Sequence, residues 1–276
     1  MGGTQGLKRI LAIHDLSGWG HTSLMASIPI LYQQGLQVAA MPSAVLSTNT
    51  DYEGYQMQDM SAQMKRSLEH WARLGVSFDA VYSGFLAGED QVGLVKEAIE
   101  RFAAPGGIVL IDPVLGDCGK LYSCYKPSMV EAMRELLPLA EIITPNLSEA
   151  CLLLGRDYNP RIGHEEAQGY CRELQKMGAK TVIITSAFSP KPGYSAIVGL
   201  DERGKDHYLE TRYLPSVCPG AGDIFATMLL ARLINEDSLG KAISKAAAFV
   251  KEGILLALSL GEDPRCGIPL EKALKI

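Results

Sequence analysis

The sequence predicts an α/β protein with a mostly parallel central sheet and an antiparallel hairpin toward its C-terminal half. Three observations carry that prediction. Short apolar runs of strand character alternate with stretches of helical periodicity from Arg9 to Ala187, which implies parallel strands joined by right-handed helical crossovers. The segment from Tyr194 to Tyr213 departs from this, with two extended runs around the turn signal "DERGK". No internal repeat, low-complexity tract or Ser/Pro linker interrupts the chain, so residues 1–276 are expected to form one domain.

The elements follow in order. "RILAIH" (Arg9 to His14) is a short apolar run, read as a buried strand. "HTSLMASIPILYQQG" has helical spacing and stops at Gly35, and "LQVAAMPS" is the second strand. From Asp59 to Leu74 the residues Met60, Met64, Leu68 and Trp71 share one face of an amphipathic helix. "FDAVYSGFLAG" is strand then loop, "DQVGLVKEAIERFA" is helix, and "GGIVLIDPVLGD" is strand then a Pro/Gly loop. The helix "SMVEAMRELLPLA", the strand "EIITP", the helices "LSEACLLLG" and "HEEAQGYCRELQKMG", and the strand "KTVIITSA" come next. After the hairpin, two helices close the chain, Ala221 to Asn235 and Leu239 to Leu260.

Composition narrows the function classes. A hydrophobic content of 47% suits a globular protein with a sizeable core, and a net charge of −5 offers no basic footprint for nucleic acid. The net charge does not exclude an anionic substrate, which responds to local fields. Cys118, Cys124, Cys151, Cys171, Cys218 and Cys266 form neither a C-x-x-C pair nor a zinc-type spacing, and read as reduced thiols. "MGGTQGLKR" lacks the apolar core of a leader, and the run around "GILLALSLG" is too short to cross a membrane. The expected compartment is the cytoplasm.

In sheets of this kind ligands bind beyond the C-terminal ends of the strands, here "HDLSG", "SGFLAG", "DPVLGD", "TPNLSE" and "TSAFS". The junction "VCPGAGDIFATMLLARL" is the second place to look. Gly220 and Gly222 permit close backbone approach. The helix that follows offers unpaired N–H groups and the positive end of its dipole, so the junction makes an anion-binding cup. Asp223 beside that cup can accept a proton from a hydroxyl attacking a γ-phosphate. A plain turn followed by a dipole-favoured acid has the same sequence, and the motif is neither a P-loop nor a dinucleotide fingerprint. Its setting favours phosphoryl transfer: the helix is apolar throughout, and Asp112, Asp117, Asn146 and Glu149 stand on strand tails. Hard oxygen ligands of that kind suit Mg²⁺, mostly through water.

These pieces together resemble the pyridoxal kinases of the ribokinase-like superfamily over nearly the whole chain. "DPVLGD", "PLAEIITPNLSEACLLLGR", "VIITSAFSP", "PGAGDIFATMLLA" and "VLSTNTDY" occur in the family's order. The resemblance implies a three-layer αβα ribokinase-like fold and ATP-dependent phosphorylation of the 5′-hydroxymethyl group of pyridoxal, pyridoxine or pyridoxamine. It implies Asp223 as general base, and Gly220, Ala221 and Gly222 as the anion hole. It also implies an ATP-binding set of Asp112, Asp117, Tyr125, Thr144, Asn146, Glu149, Thr185 and Ser186. Tyr125 would belong to a flexible cover over the nucleotide. Asp112 and Glu149 would hold Mg²⁺ through water, a monovalent cation such as K⁺ would assist, and the enzyme would be a homodimer. The alternatives are a hydroxymethylpyrimidine or other small-alcohol kinase of the same superfamily, and a vitamin-binding protein without catalysis.

The vitamin end departs from the family's pattern. Asp15 stands where the first strand commonly ends in a Ser on the pyridine nitrogen; it is expected to pair with a pyridinium, or else to cap the helix beyond it. Thr50 matches the family's Thr on the ring substituents, and Asn49 replaces a neighbouring His. Trp19 and Leu46 are expected as apolar walls of the vitamin pocket, or as ordinary core.

Overall fold

The computed structural model describes residues 6–214 and 218–275. The first five residues, which form part of the stretch read as leaderless, and Val217 ahead of the glycine cup lie outside them. The chain runs β1 (Arg9–Ser17), α1 (Ser23–Gln33), β2 (Gln37–Leu46), β3 (Met57–Asp59), α2 (Ser61–Leu74), β4 (Phe78–Ser83), α3 (Asp90–Phe102) and β5 (Ala103–Ile111). It continues with β6 (Gly116–Asp117), β7 (Lys120–Leu121), α4 (Ser128–Arg134), β8 (Ile142–Ile143), α5 (Leu147–Leu154), α6 (His164–Lys176) and β9 (Thr181–Phe188). β10 (Tyr194–Leu200), β11 (Asp206–Arg212), α7 (Ala221–Ile234), α8 (Leu239–Leu260) and α9 (Leu270–Ala273) complete it.

Nine strands form one sheet in the order β11-β10-β9-β8-β5-β4-β1-β2-β3. β2, β1, β4, β5, β8 and β9 are parallel, whereas β10, β11 and the edge strand β3 pair antiparallel. The expected mostly parallel sheet and its hairpin are both present. Successive residues of the central strands feed two cores. Leu11, Ile13, Val81 and Ile111 pack on one face, and Ile10, Tyr82, Leu110 and Ile183 on the other. Both faces are therefore covered by helices, which is why these strands read as continuous apolar runs rather than alternating ones. Strand order reverses at β1, which has β2 on one side and β4 on the other. Such a switch point leaves a crevice beyond the C-terminal strand ends, here at His14–Ser17 and Ser83.

The structure corrects several boundaries. The helix read through "SMVEAMRELLPLA" ends at Arg134, and a 3-10 turn follows at Leu137–Leu139. Pro138 has no N–H to continue the α-helical ladder. The helix expected from Asp59 begins at Ser61, because Asp59 ends β3 and accepts the Ser61 N–H at 2.7 Å. β3 and the β6–β7 hairpin are too short to have shown a period of two. No helix among the described residues is long and apolar enough to cross a membrane.

Candidate active site

α7 is buried continuously from Ile224 to Ala231. A helix buried on all sides cannot turn a polar face to water, and its N-terminus opens at the crevice. Gly220 caps it in the left-handed region, φ 80°. A side-chain carbon there would stand 2.5 Å from the His21 carbonyl oxygen and 3.1 Å from Thr22 Cα. Only glycine lets α7 meet the β1–α1 loop this closely. The first N–H groups of α7 have no partner within the helix and carry the positive end of its dipole, although the Ala221 N–H donates to the Cys218 carbonyl at 3.2 Å. Gly220, Ala221 and Gly222 form the turn that opens α7.

Asp223 is tied to the other side of the crevice. Its Oδ2 accepts the Ser23 backbone N–H at 2.8 Å, from a residue 200 positions away at the start of α1. Ser23 adopts φ 51° to present that N–H, an uncommon and strained conformation for a non-glycine residue. Asp223 Oδ1 lies 3.8 Å from His14 Nδ1. Burial pushes the Asp223 carboxyl above its ordinary range, and the Ser23 donors oppose that shift.

Two more buried acids stand along the strand ends. Asp112, just past β5, accepts the Thr144 hydroxyl at 3.0 Å on Oδ1. Its Oδ2 faces Gly222, where a side-chain carbon would be 4.0 Å away. Burial, and then the neighbouring Asp223, push Asp112 up to about 8, with Thr144 opposing. Glu149 closes a capping box with Asn146 at the start of α5. Its Oε2 accepts the Asn146 N–H at 2.8 Å and its Oε1 the Leu115 N–H at 3.1 Å. Burial and Asp112 raise Glu149 well above the usual carboxylate range. Asn146 also donates to the Gly116 carbonyl at 2.9 Å and bridges in parallel to Thr185. Thr144, Asn146 and Thr185 therefore line adjacent strand ends, with Ser186, exposed and at φ 60°, next along. Losing a cap acceptor costs about 1–2 kcal/mol. Asn146→Ala should lower stability by about that much in urea unfolding and release the Gly116 turn; an unchanged midpoint would show that the box carries no load.

The chain can now be set beside known proteins. The family model described as phosphomethylpyrimidine kinase matches residues 28–266. The chain belongs to the phosphomethylpyrimidine kinase family. A Bacteroides thetaiotaomicron member, a putative phosphomethylpyrimidine kinase solved with pyridoxal, is 38% identical with a TM-score of 0.94, covering 98% of this chain and 95% of that one. Pyridoxal kinase from Lactobacillus plantarum is 28% identical with a TM-score of 0.88, covering 98% and 96%. Human pyridoxal kinase is 29% identical over 243 residues, 81% of this chain and 76% of that protein. The three-layer ribokinase-like fold and the resemblance to pyridoxal kinases are borne out, and the chain is an ATP-dependent kinase.

Within this family frame not every expected residue reaches the crevice. Asp15 does. It is buried past the middle of β1, accepts the Ser17 hydroxyl at 2.9 Å, and is pushed up by burial, with nearby Asp223 adding to the effect. Leu46 is core, 2% exposed. The Asn49 amide is committed elsewhere, donating to the Arg265 carbonyl at 2.8 Å while its oxygen accepts the Asp51 N–H at 3.0 Å. Thr50 is exposed in the same turn, and Trp19 is 60% exposed on the β1–α1 loop. Tyr125, expected in a mobile cover, is packed in the core. It stacks on Phe85 and donates to the Leu86 carbonyl at 2.7 Å. Asp117 is exposed in the β6–β7 hairpin, close enough to add to the rise that burial gives Asp51.

The donor set admits Mg²⁺ only indirectly. Among the described residues no group of three or more His, Cys, Asp or Glu side chains could grip an ion. Both Glu149 oxygens are already held by amides, and Asp112 offers one. With both Glu149 oxygens on amides and one Asp112 oxygen on Thr144, the residues fit a hydrated cation rather than a directly ligated one. Sequence reasoning missed Ser23, His14 and Tyr122. Ser23 acts chiefly through its backbone N–H, with its hydroxyl at 3.5 Å, which leaves little side-chain signal. Tyr122 feels Glu149, Asp117, Asp223 and Asp51 together, a meeting that only the fold produces.

Proposed function

We propose that the protein transfers the γ-phosphoryl group of ATP to the 5′-hydroxymethyl group of pyridoxal, pyridoxine or pyridoxamine, with Asp223 as general base. The observation that carries this is the placement of Asp223. One carboxylate oxygen is anchored on Ser23, the other lies 3.8 Å from His14 Nδ1, and the glycine turn that opens α7 adjoins it. A hydroxyl seated there would lose its proton to Asp223 as it attacks phosphorus. The amides of Gly220, Ala221 and Gly222 would stabilise the charge that develops on the transferred group. Asp112, Thr144, Asn146, Glu149, Thr185 and Ser186 would line the nucleotide side, with Asp117 at its mouth. Asp112 and Glu149 would hold Mg²⁺ through water, and the ion would supply charge neutralisation of the phosphates. The whole chain would act as a single cytoplasmic domain, assembled as a homodimer. Support for the vitamin comes from the pyridoxal found in the 38% identical Bacteroides structure.

The family's own description favours a second reading, a pyrimidine alcohol as acceptor. ADP release with ATP–Mg²⁺ against pyridoxal, pyridoxine, pyridoxamine and hydroxymethylpyrimidine separates the two. The proposal expects turnover with the three vitamin forms at lower KM; faster turnover of the pyrimidine at low concentration would reverse the assignment.

Asp15 would read the vitamin ring. Its burial near Asp223 raises its pKa, and a pyridinium N–H would relieve that cost in a charge-assisted pair. Asp15→Asn should raise the vitamin KM several-fold while melting temperature and the KM for ATP hold. An unchanged vitamin KM would remove Asp15 from the ring.

A further inference from the structure

His14 is the second group directed at Asp223, and the phosphoryl transfer described above makes no use of it. Its side chain is fully buried. Among the described residues neither ring nitrogen has a hydrogen-bond partner. The ring sits edge-on to Tyr82, centroids 4.4 Å apart. On its other flank a side-chain carbon at Gly84 would coincide with the imidazole, so glycine at 84 is what makes room for it. Leaving a buried polar group unpaired is costly. An imidazole kept under that penalty, in a slot cut for it, needs a function that leucine would not serve.

Nδ1 stands 3.8 Å from Asp223 Oδ1, about 1 Å beyond a charge-assisted N–H···O bond. We infer that His14 is a positioning residue, donating Nδ1–H to Asp223 Oδ1 as the loaded site closes and so holding the carboxylate, with Ser23 on its other oxygen, toward the substrate hydroxyl. Burial keeps the ring neutral, pushing it down to about 4 against the opposing pull of Asp15. A neutral imidazole has a single N–H to give. The ionisable groups around the pair are Asp15 on β1, Tyr82 on β4, Asp112 beyond β5, and Tyr122 after β7. Asp15 and Asp112 are acids and the tyrosines are raised, so His14 is the one neutral nitrogen donor among them. The inference rests on the reading of Asp223 as the base.

The test compares His14→Leu, which keeps bulk without a donor, with His14→Gln, whose amide can donate, alongside Asp223→Ala. Melting temperature and ATP binding establish that each variant is folded. Misplacing a reacting group by about 1 Å can lower rate by ~10²-fold. His14→Leu should lower kcat by between ~10- and 100-fold with both KM values within about twofold, and His14→Gln should restore most of it. A normal kcat in His14→Leu, or equal loss in both variants, overturns the inference. Near-normal turnover in Asp223→Ala sinks the base assignment instead, so the two failures are distinguishable. Wild-type protein supplies a second readout. On adding pyridoxal and a β,γ-methylene ATP analogue, one imidazole N–H proton should move downfield by NMR and be absent in His14→Gln. If no imidazole proton responds to loading, the inference fails.

Discussion

Asp223→Ala should lower kcat by ~10²–10⁴-fold while leaving ATP binding intact. That is the usual range for removing a general base. The structure adds a reason to expect nucleotide binding to survive. Burial, with the like charge of Asp223 adding to it, pushes Asp112 up to about 8, so removing Asp223 makes Asp112 easier to ionise and strengthens the attraction for a hydrated cation. Asp223→Asn should behave the same way and keep the Ser23 contact through its side-chain oxygen. Steady-state kinetics with calorimetric ATP titration checks both parts. Turnover within a few-fold of wild type would mean that another group takes the proton. Collapse of ATP binding together with turnover would mean that Asp223 holds the cup rather than the proton.

Gly220→Ala should damage stability and turnover together. The left-handed conformation costs a non-glycine residue about 1–2 kcal/mol, and the new carbon meets a carbonyl oxygen at 2.5 Å, which is backbone and cannot rotate away. The His21–Thr22 segment must then retreat. Ser23 goes with it, and with Ser23 the anchor of Asp223. Stability should therefore fall by more than the conformational cost alone, lowering Tm by at least ~2–4 °C for a chain of this size. The kcat should fall by at least as much as in Asp223→Ala, and the KM for ATP should rise. Differential scanning calorimetry and the ADP assay test this. A variant with the wild-type Tm and turnover would show that α7 and the β1–α1 loop are not in the close contact described.

The pattern of what could be read from the chain follows from range. Period switching placed β1, α1, β4, α3, β9 and the closing helices, because each buries a face wide enough to leave a period. β3 and the β6–β7 hairpin are too short for that, and Pro138 broke a helix whose apolar spacing continued through it. The site divides in the same way. Asp112, Asn146, Glu149 and Asp223 sit at strand tails and helix starts, where local chemistry marks them. Tyr125 is expected from likeness to a family and Leu46 and Trp19 as apolar walls, and how far each is exposed here depends on neighbours no short window contains. His14 and Ser23 meet Asp223 from about 200 residues away. Nothing near them in sequence announces it; the distant glycine at 84 makes sense only once the imidazole is seen beside it.

The most direct test is a structure of the protein loaded with pyridoxal and a non-hydrolysable ATP analogue. The account predicts Asp223 Oδ1 within hydrogen-bond reach of the 5′-hydroxyl oxygen, with the terminal phosphate on the amides of Gly220 to Gly222 and in line with that oxygen. A closed, doubly loaded site in which the carboxylate faces only Ser23 and the hydroxyl lies on another residue would contradict it.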